Sequence, residues 1–221
     1  MKVSAGKSIL SANDQQAARN LDRLTRDRLL AINILASPGA GKTSVIKRLL
    51  AALSPAHAVG VIEGDVASSI DTDAIVALGY PATQINTDGG CHLDAAMIDR
   101  ALEALRLRGP GFLFIENIGN LICPTGFRLG ESLRLLIASV PEGDDKPLKY
   151  PGAFATADAI VLNKMDLMPL VDFKMDSFLA AVRTVNRSVP VCNISCRNGM
   201  GFDALVGWLL EQGSRRPWMR R

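Results

Sequence analysis

Lys42 and Thr43 follow two closely spaced glycines in the stretch Ala36-Ser37-Pro38-Gly39-Ala40-Gly41-Lys42-Thr43. The apolar run Leu30 to Leu35 precedes it, and the amphipathic segment Ser44 to Leu53 follows. A strand, a glycine-bearing turn and a helix, in that order, make the setting a phosphate-binding loop requires. Backbone amides of Gly39, Ala40 and Gly41 can converge on phosphate oxygens, and the helix start at Thr43 and Ser44 adds positive potential. Lys42 supplies a mobile charge. The Thr43 hydroxyl is then set to coordinate magnesium. Ala36 stands where such loops usually begin with glycine, the position that asks least of the backbone. A nucleotide is the implied ligand.

Asn163-Lys164-Met165-Asp166 follows a second apolar run, Ala159 to Leu162. A carboxylate there can accept both the ring N–H and the exocyclic amino group of guanine, a donor pair that adenine lacks, so Asp166 selects by hydrogen-bond sense. The Lys164 stem can cover the ring face, and Asn163 can tie neighbouring loops together. Ser195-Cys196-Arg197 resembles the Ser-Ala-Lys loop with which GTPases close over guanine, with Cys and Arg in place of Ala and Lys.

Acidic residues close two more strands. Glu63-Gly64-Asp65 ends one, with Asp71 and Asp73 following, and Glu116-Asn117-Ile118-Gly119-Asn120 ends another. Asp65 and Asp71 are expected to hold magnesium through water and to orient the attacking water, and Glu116 to face the ion. Gly119 can re-orient beside a γ-phosphate, which makes this segment a candidate switch. Asp73 is expected to cap a loop.

Cys91-His92 carries a second chemistry. It is expected to open a helix, where a thiol has a depressed pKa and ligates metals readily. Cys123 lies a few residues beyond Glu116. Two thiolates and an imidazole suit zinc or nickel and leave a coordination position open, whether the ligands come from one chain or are shared between two. Cys192 and Cys196 are expected simply to pack.

The elements that must position these groups alternate. Helices are expected over Ile9 to Leu30, Asp71 to Leu78, Leu93 to Leu107, Phe173 to Val185 and Phe202 to Leu210. Strands are expected over Ala58 to Ile62, Ala82 to Asn86, Gly111 to Ile115, Leu133 to Val140 and Val189 to Asn193, with Pro141 to Pro151 as a charged loop. This is an α/β pattern, a mostly parallel sheet in a three-layer sandwich, with ligands at the carboxyl ends of the strands. With 48% hydrophobic and 21% charged residues, the chain of 221 can build a full core and is not disordered. The division expected is a helical arm at 1–30, a nucleotide domain at 31–213 and a basic tail at 214–221. The net charge of +3 sits largely in Arg215, Arg216, Arg220 and Arg221, read as a solvated end and not as a nucleic-acid surface. No apolar run approaches about 20 residues, so no membrane span is expected. With no signal pattern, the four cysteines imply reduced thiols in the cytoplasm.

Taken together, Ser37 to Thr43, Glu63-Gly64-Asp65, Gly90-Cys91-His92-Leu93-Asp94, the segment Glu116 to Pro124, Lys146-Pro147-Leu148-Lys149-Tyr150-Pro151 and Asn163 to Asp166 resemble the HypB family in type and order. The likeness runs from Asn13-Asp14 to Gly201. The Cys-His pair and the Glu116 to Pro124 segment are its specific parts. The resemblance implies a SIMIBI-class P-loop GTPase that binds GTP or GDP with Mg2+, and that helps nickel insertion into [NiFe] hydrogenases. It implies a homodimer in the GTP state, with Cys91, His92 and Cys123 as a nickel or zinc site at the interface. Lys149 would reach the partner chain's nucleotide. Nickel-delivery proteins and a hydrogenase large-subunit precursor would be its partners. Some relatives carry an N-terminal Cys-x-x-Cys or His-rich metal site. Met1 to Lys7 has neither, so the interface site is expected to be the only one. The rival reading is a helper GTPase of the urease or methylmalonyl-CoA mutase type, but the Cys-Pro-His triplet of the urease helper is missing. A phosphotransferase or ATP-dependent ligase is opposed by Asp166.

Overall fold

The computed structural model describes residues 5–65 and 68–219, the first five of them by backbone alone. Seven strands form one parallel sheet: β1 (Leu29–Ala36), β2 (Ala58–Asp65), β3 (Ala82–Asn86), β4 (Gly111–Glu116), β5 (Leu133–Ser139), β6 (Ala159–Asn163) and β7 (Val191–Asn193). Their order is β3-β2-β4-β1-β5-β6-β7. β1 is central and all eight of its residues are buried, as a strand covered on both faces must be. The chain crosses from β4 to β5 over β1, so the carboxyl end of β1 opens at a reversal of strand order, where parallel sheets bind ligands.

The longer helices are α1 (Ala5–Arg26), α2 (Lys42–Leu53), α3 (Ile70–Val76) and α4 (Ala95–Leu105). Two short ones, α5 (Lys146–Lys149) and α6 (Pro151–Ala155), precede α7 (Met175–Val185) and α8 (Phe202–Ser214). α2 and α8 close one face through Ile46, Leu49, Leu205 and Leu209; α1 and α4 close the other through Leu24, Ile98 and Leu102.

Several boundaries differ from expectation for local reasons. The first helix stops at Arg26, and Arg28 adopts the left-handed conformation (φ 61°) that turns the chain into β1. Leu29 and Leu30 therefore join the strand. α4 begins only at Ala95, because Asp94 accepts a hydrogen bond from the Met97 amide (2.7 Å) and caps it there. The segment expected as a charged loop, Pro141 to Pro151, is instead a 3-10 turn (Val140–Glu142) followed by α5 and α6. Ser139 and Glu142 form a capping box for that turn, and prolines sit in the first turns of all three elements. β7 starts at Val191, after Pro190, whose nitrogen has no hydrogen to give a ladder.

α1 is held by buried amides. Asn20 Nδ2 donates to the carbonyls of Ala95 (2.7 Å) and Leu129 (2.9 Å), and Asn13 bonds the Ala95 amide and the Arg128 carbonyl. The tail, expected to be solvated, is partly docked. Met219 is buried, and Arg28 Nε donates to the Trp218 carbonyl (2.8 Å). Arg220 and Arg221 lie outside the described residues. Among the described residues, no helix is long and apolar enough to cross a membrane.

Candidate functional site

The phosphate loop joins β1 to α2 through Gly39 (φ 76°) and Gly41 (φ 97°), both left-handed. A side chain at 41 would also collide with Asn163, since a Cβ built there lies 2.6 Å from its Nδ2. That approach has a purpose. Asn163 Nδ2 donates to the Ala40 carbonyl (2.9 Å), while its Oδ1 accepts from the Cys196 amide (3.4 Å). Lys164 Nζ donates to the Gly39 carbonyl (2.7 Å). Phosphate loop and base loops are thus joined directly, the tying role expected of Asn163.

Asp166 Oδ1 accepts from Ser195 Oγ at 2.6 Å, and that hydroxyl accepts from the amides of Arg197 (3.2 Å) and Asn198 (3.4 Å). The Cys196 carbonyl is held by Arg48 Nε (2.7 Å). These contacts fix the Asp166 carboxylate. Burial pushes the Cys192 and Cys196 thiols up, as packing groups and not as ligands.

Lys42, Glu63, Asp65, Asp71, Glu116 and Gly119 surround a cleft of about 270 Å3 beside the phosphate loop. Glu116 Oε1 accepts from Thr43 Oγ1 (3.1 Å) and pairs with Lys42 Nζ (3.8 Å). Asp73 does not line this cleft and accepts from Ser69 Oγ (2.9 Å) in the first turn of α3. Sequence reasoning missed Glu63 as an actor. It is 3% exposed and stands opposite Glu116 in the β2–β4 ladder. Burial pushes its carboxyl up to about 10, helped by the neighbouring Glu116. Burial also raises Glu116, though the Glu63 hydrogen bond, Lys42 and Thr43 pull it the other way. One oxygen of each, Glu63 Oε1 and Glu116 Oε2, is buried with no hydrogen-bond partner among the described residues. Hard oxygens facing one cleft suit a magnesium ion. Each acid is legible as a carboxylate near a strand end, but that the two meet follows only from the pairing of β2 with β4 in register.

A larger cavity, about 690 Å3, lies between α1 and α4, where Arg23, Arg26, Arg106 and Arg108 alternate with Asp27 and Glu103. None of the phosphate, base or thiol residues lines it.

Cys91 and His92 lie in a turn ahead of α4, not at its start, so the helix does not depress the thiol as expected. The opposite holds: a hydrogen bond with Cys123 raises the Cys91 pKa. Cys91 Sγ lies 3.5 Å from His92 Nδ1, and the His92 ring stacks on Phe127 with centroids 3.9 Å apart. Thiols and imidazole therefore share one exposed corner. Among the described residues, no three potential ligands converge closely enough to hold an ion within one chain. Lys149, on α5, is exposed and pairs with Asp145 at 2.5 Å.

The model of the CobW/HypB/UreG nucleotide-binding domain matches residues 30–193. The hydrogenase maturation factor HypB of Azotobacter chroococcum is 44% identical over 214 residues, which is 97% of this chain and 70% of that protein. This chain belongs to the HypB family. The crystal structure of Helicobacter pylori HypB in complex with nickel superposes with a TM-score of 0.88 at 33% identity, covering 92% of this chain and 96% of that one. Archaeoglobus fulgidus HypB gives 0.86 at 34% identity, over 92% and 99%. At 13% identity the likeness is one of fold alone, and it reaches FlhF complexed with GMPPNP/Mg(2+) at a TM-score of 0.56. The fold is thus the three-layer, SIMIBI-class P-loop architecture of HypB.

Proposed function

We propose that this protein is a GTP-hydrolysing metallochaperone that carries nickel for hydrogenase maturation and dimerises in its GTP state. The observation that supports it is a shared segment. Glu116, which holds Lys42 and Thr43, and Cys123, which bonds the Cys91 thiol, lie on one short stretch leaving β4.

In this reading the amides of Gly39 to Ser44 and the Lys42 ammonium bind the β- and γ-phosphates. Thr43 and Glu116, with Asp65 and Asp71, would hold magnesium, which neutralises phosphate charge. Asp65 or Asp71 orients the attacking water. Asp166, fixed by Ser195, accepts the two guanine donors, and Lys164 covers the ring. Phosphate and magnesium compete for the same Lys42 and Thr43 that Glu116 now occupies, so nucleotide entry has to rearrange the end of β4. Cys91, His92 and Cys123 are the nickel ligands, completed across a second copy, with zinc as a competitor. Lys149, freed from Asp145, reaches the partner's nucleotide. Four free cysteines fit a reducing cytoplasm, with nickel donors and a hydrogenase precursor as partners.

The test is nickel and zinc titration beside sedimentation, with GDP and then with a non-hydrolysable GTP analogue. The reading expects a dimer and a changed nickel affinity with the analogue. A monomer that binds nickel equally in both states would overturn it.

A further inference from the structure

The metal turn is attached to the end of β4 by more than the covalent path to Cys123. Asn117, one residue past Glu116 and 1% exposed, accepts hydrogen bonds at Oδ1 from the amides of Leu93 (3.3 Å) and Ile118 (2.9 Å). Its Nδ2 donates to Asn33 Oδ1 (3.1 Å) on β1, the strand that feeds the phosphate loop. Three residues on, Asn120 Nδ2 donates to the Cys91 carbonyl (3.4 Å). Two asparagines of one loop thus grip the main chain on either side of His92. Leu93 is fully buried, and it sits so close over Gly64 that a Cβ there would lie 2.8 Å from Leu93 Cδ1 and 3.0 Å from the Glu116 carbonyl. The turn is therefore seated on the ends of both strands that carry the paired carboxyls.

We infer that Asn117, with Asn120 as a second grip, is the positioning element that converts nucleotide state into metal affinity. This inference rests on the metallochaperone reading above. Entry of a nucleotide takes Lys42 and Thr43 from Glu116 and shifts the strand end. The adjacent Asn117 passes that shift to the Leu93 amide, and Cys91 and His92 move with Cys123 as one body. A backbone grip suits this role because buried hydrogen bonds in a low dielectric hold a discrete geometry. An amide side chain suits it because it accepts and donates at once.

The experiment measures nickel affinity against a competing chelator in the GDP form and the GTP-analogue form. It uses the full chain as wild type, Asn117→Ala and Asn120→Ala, with fluorescent-GDP binding as the check on folding. The ratio of the two affinities in the wild type should be about fivefold or more, the usual lower range of allosteric coupling. In Asn117→Ala the ratio should fall close to one while GDP binding persists. A merely structural role would lower stability and leave the ratio alone, and an unchanged ratio overturns the inference. If Asn117→Ala does not bind GDP, Asn120→Ala decides: a reduced ratio supports the grip, and the wild-type ratio overturns it. A wild-type ratio of one removes the metallochaperone reading, and the inference with it.

Discussion

Glu63 and Glu116 face each other across adjacent parallel strands, inside the cleft that the phosphate loop borders. Two buried carboxylates cannot both stay ionised at contact distance. Burial raises both carboxyls, and Lys42 and Thr43 oppose that rise on Glu116.

That asymmetry has a consequence for stability. The Glu63 carboxyl is pushed up to about 10 in the fold against an ordinary value of 4.5, so the folded state keeps a proton that the unfolded chain releases. Stability from this group is fully present below 4.5 and is lost as pH rises toward about 10. Melting of the nucleotide-free protein from about pH 5 to about pH 8 should show this falling contribution, and Glu63→Gln should flatten the slope. An identical slope in both proteins would show that Glu63 is ionised in the fold.

Gly41→Ala tests the contact between the phosphate loop and Asn163. Left-handed backbone costs a non-glycine residue about 1–2 kcal/mol, before any collision with Asn163 Nδ2 is counted. GDP affinity measured by fluorescence should drop by about tenfold or more, the equivalent of roughly 1.4 kcal/mol. Gly39→Ala, where a Cβ would meet open space, should cost less.

Asp166 is the proposed reader of the base. Asp166→Asn replaces one acceptor with a donor while Oδ1 can still take the Ser195 hydroxyl. GTP binding should weaken by about 100-fold or more, as for other lost buried hydrogen bonds in a specific site, and xanthosine triphosphate should bind in its place. Competition titrations with both nucleotides read this directly. Retained preference for GTP would mean that another group reads the base.

Cys123→Ala makes two separable changes. Nickel affinity should fall, because one of the proposed ligands is gone. The Cys91 thiol, no longer bonded to Cys123, should drop in pKa and react faster with iodoacetamide at neutral pH. Mass spectrometry of the Cys91 peptide against time gives the rate. A slower rate in the variant would contradict the thiol pair.

Much of this was legible in residue order because the demands are local. Two left-handed positions beside a lysine require glycine, and β1, buried on both faces, is apolar but for Asn33; the run Leu133 to Val140 fits strand or helix by pattern, and the choice of strand holds for Leu133–Ser139. The thiols and histidine were legible by type. Their chemistry was not: the depressed Cys91 pKa assumed a helix start, and the Asp94 cap moved that start four residues away. Pro141 to Pro151 looked like a loop because its helices are too short to show periodicity. The Glu63–Glu116 pair and the grip of Asn117 on Leu93 depend on strand neighbours distant in sequence, which no local pattern contains.

Asn163 makes a single socket from two motifs that the chain keeps 123 residues apart. The loop of Asn163 and the phosphate loop therefore form one continuous wall, and the acid-lined wall of Glu63, Asp65 and Asp71 stands apart from it. On the proposed function, a nucleotide would leave past that second wall.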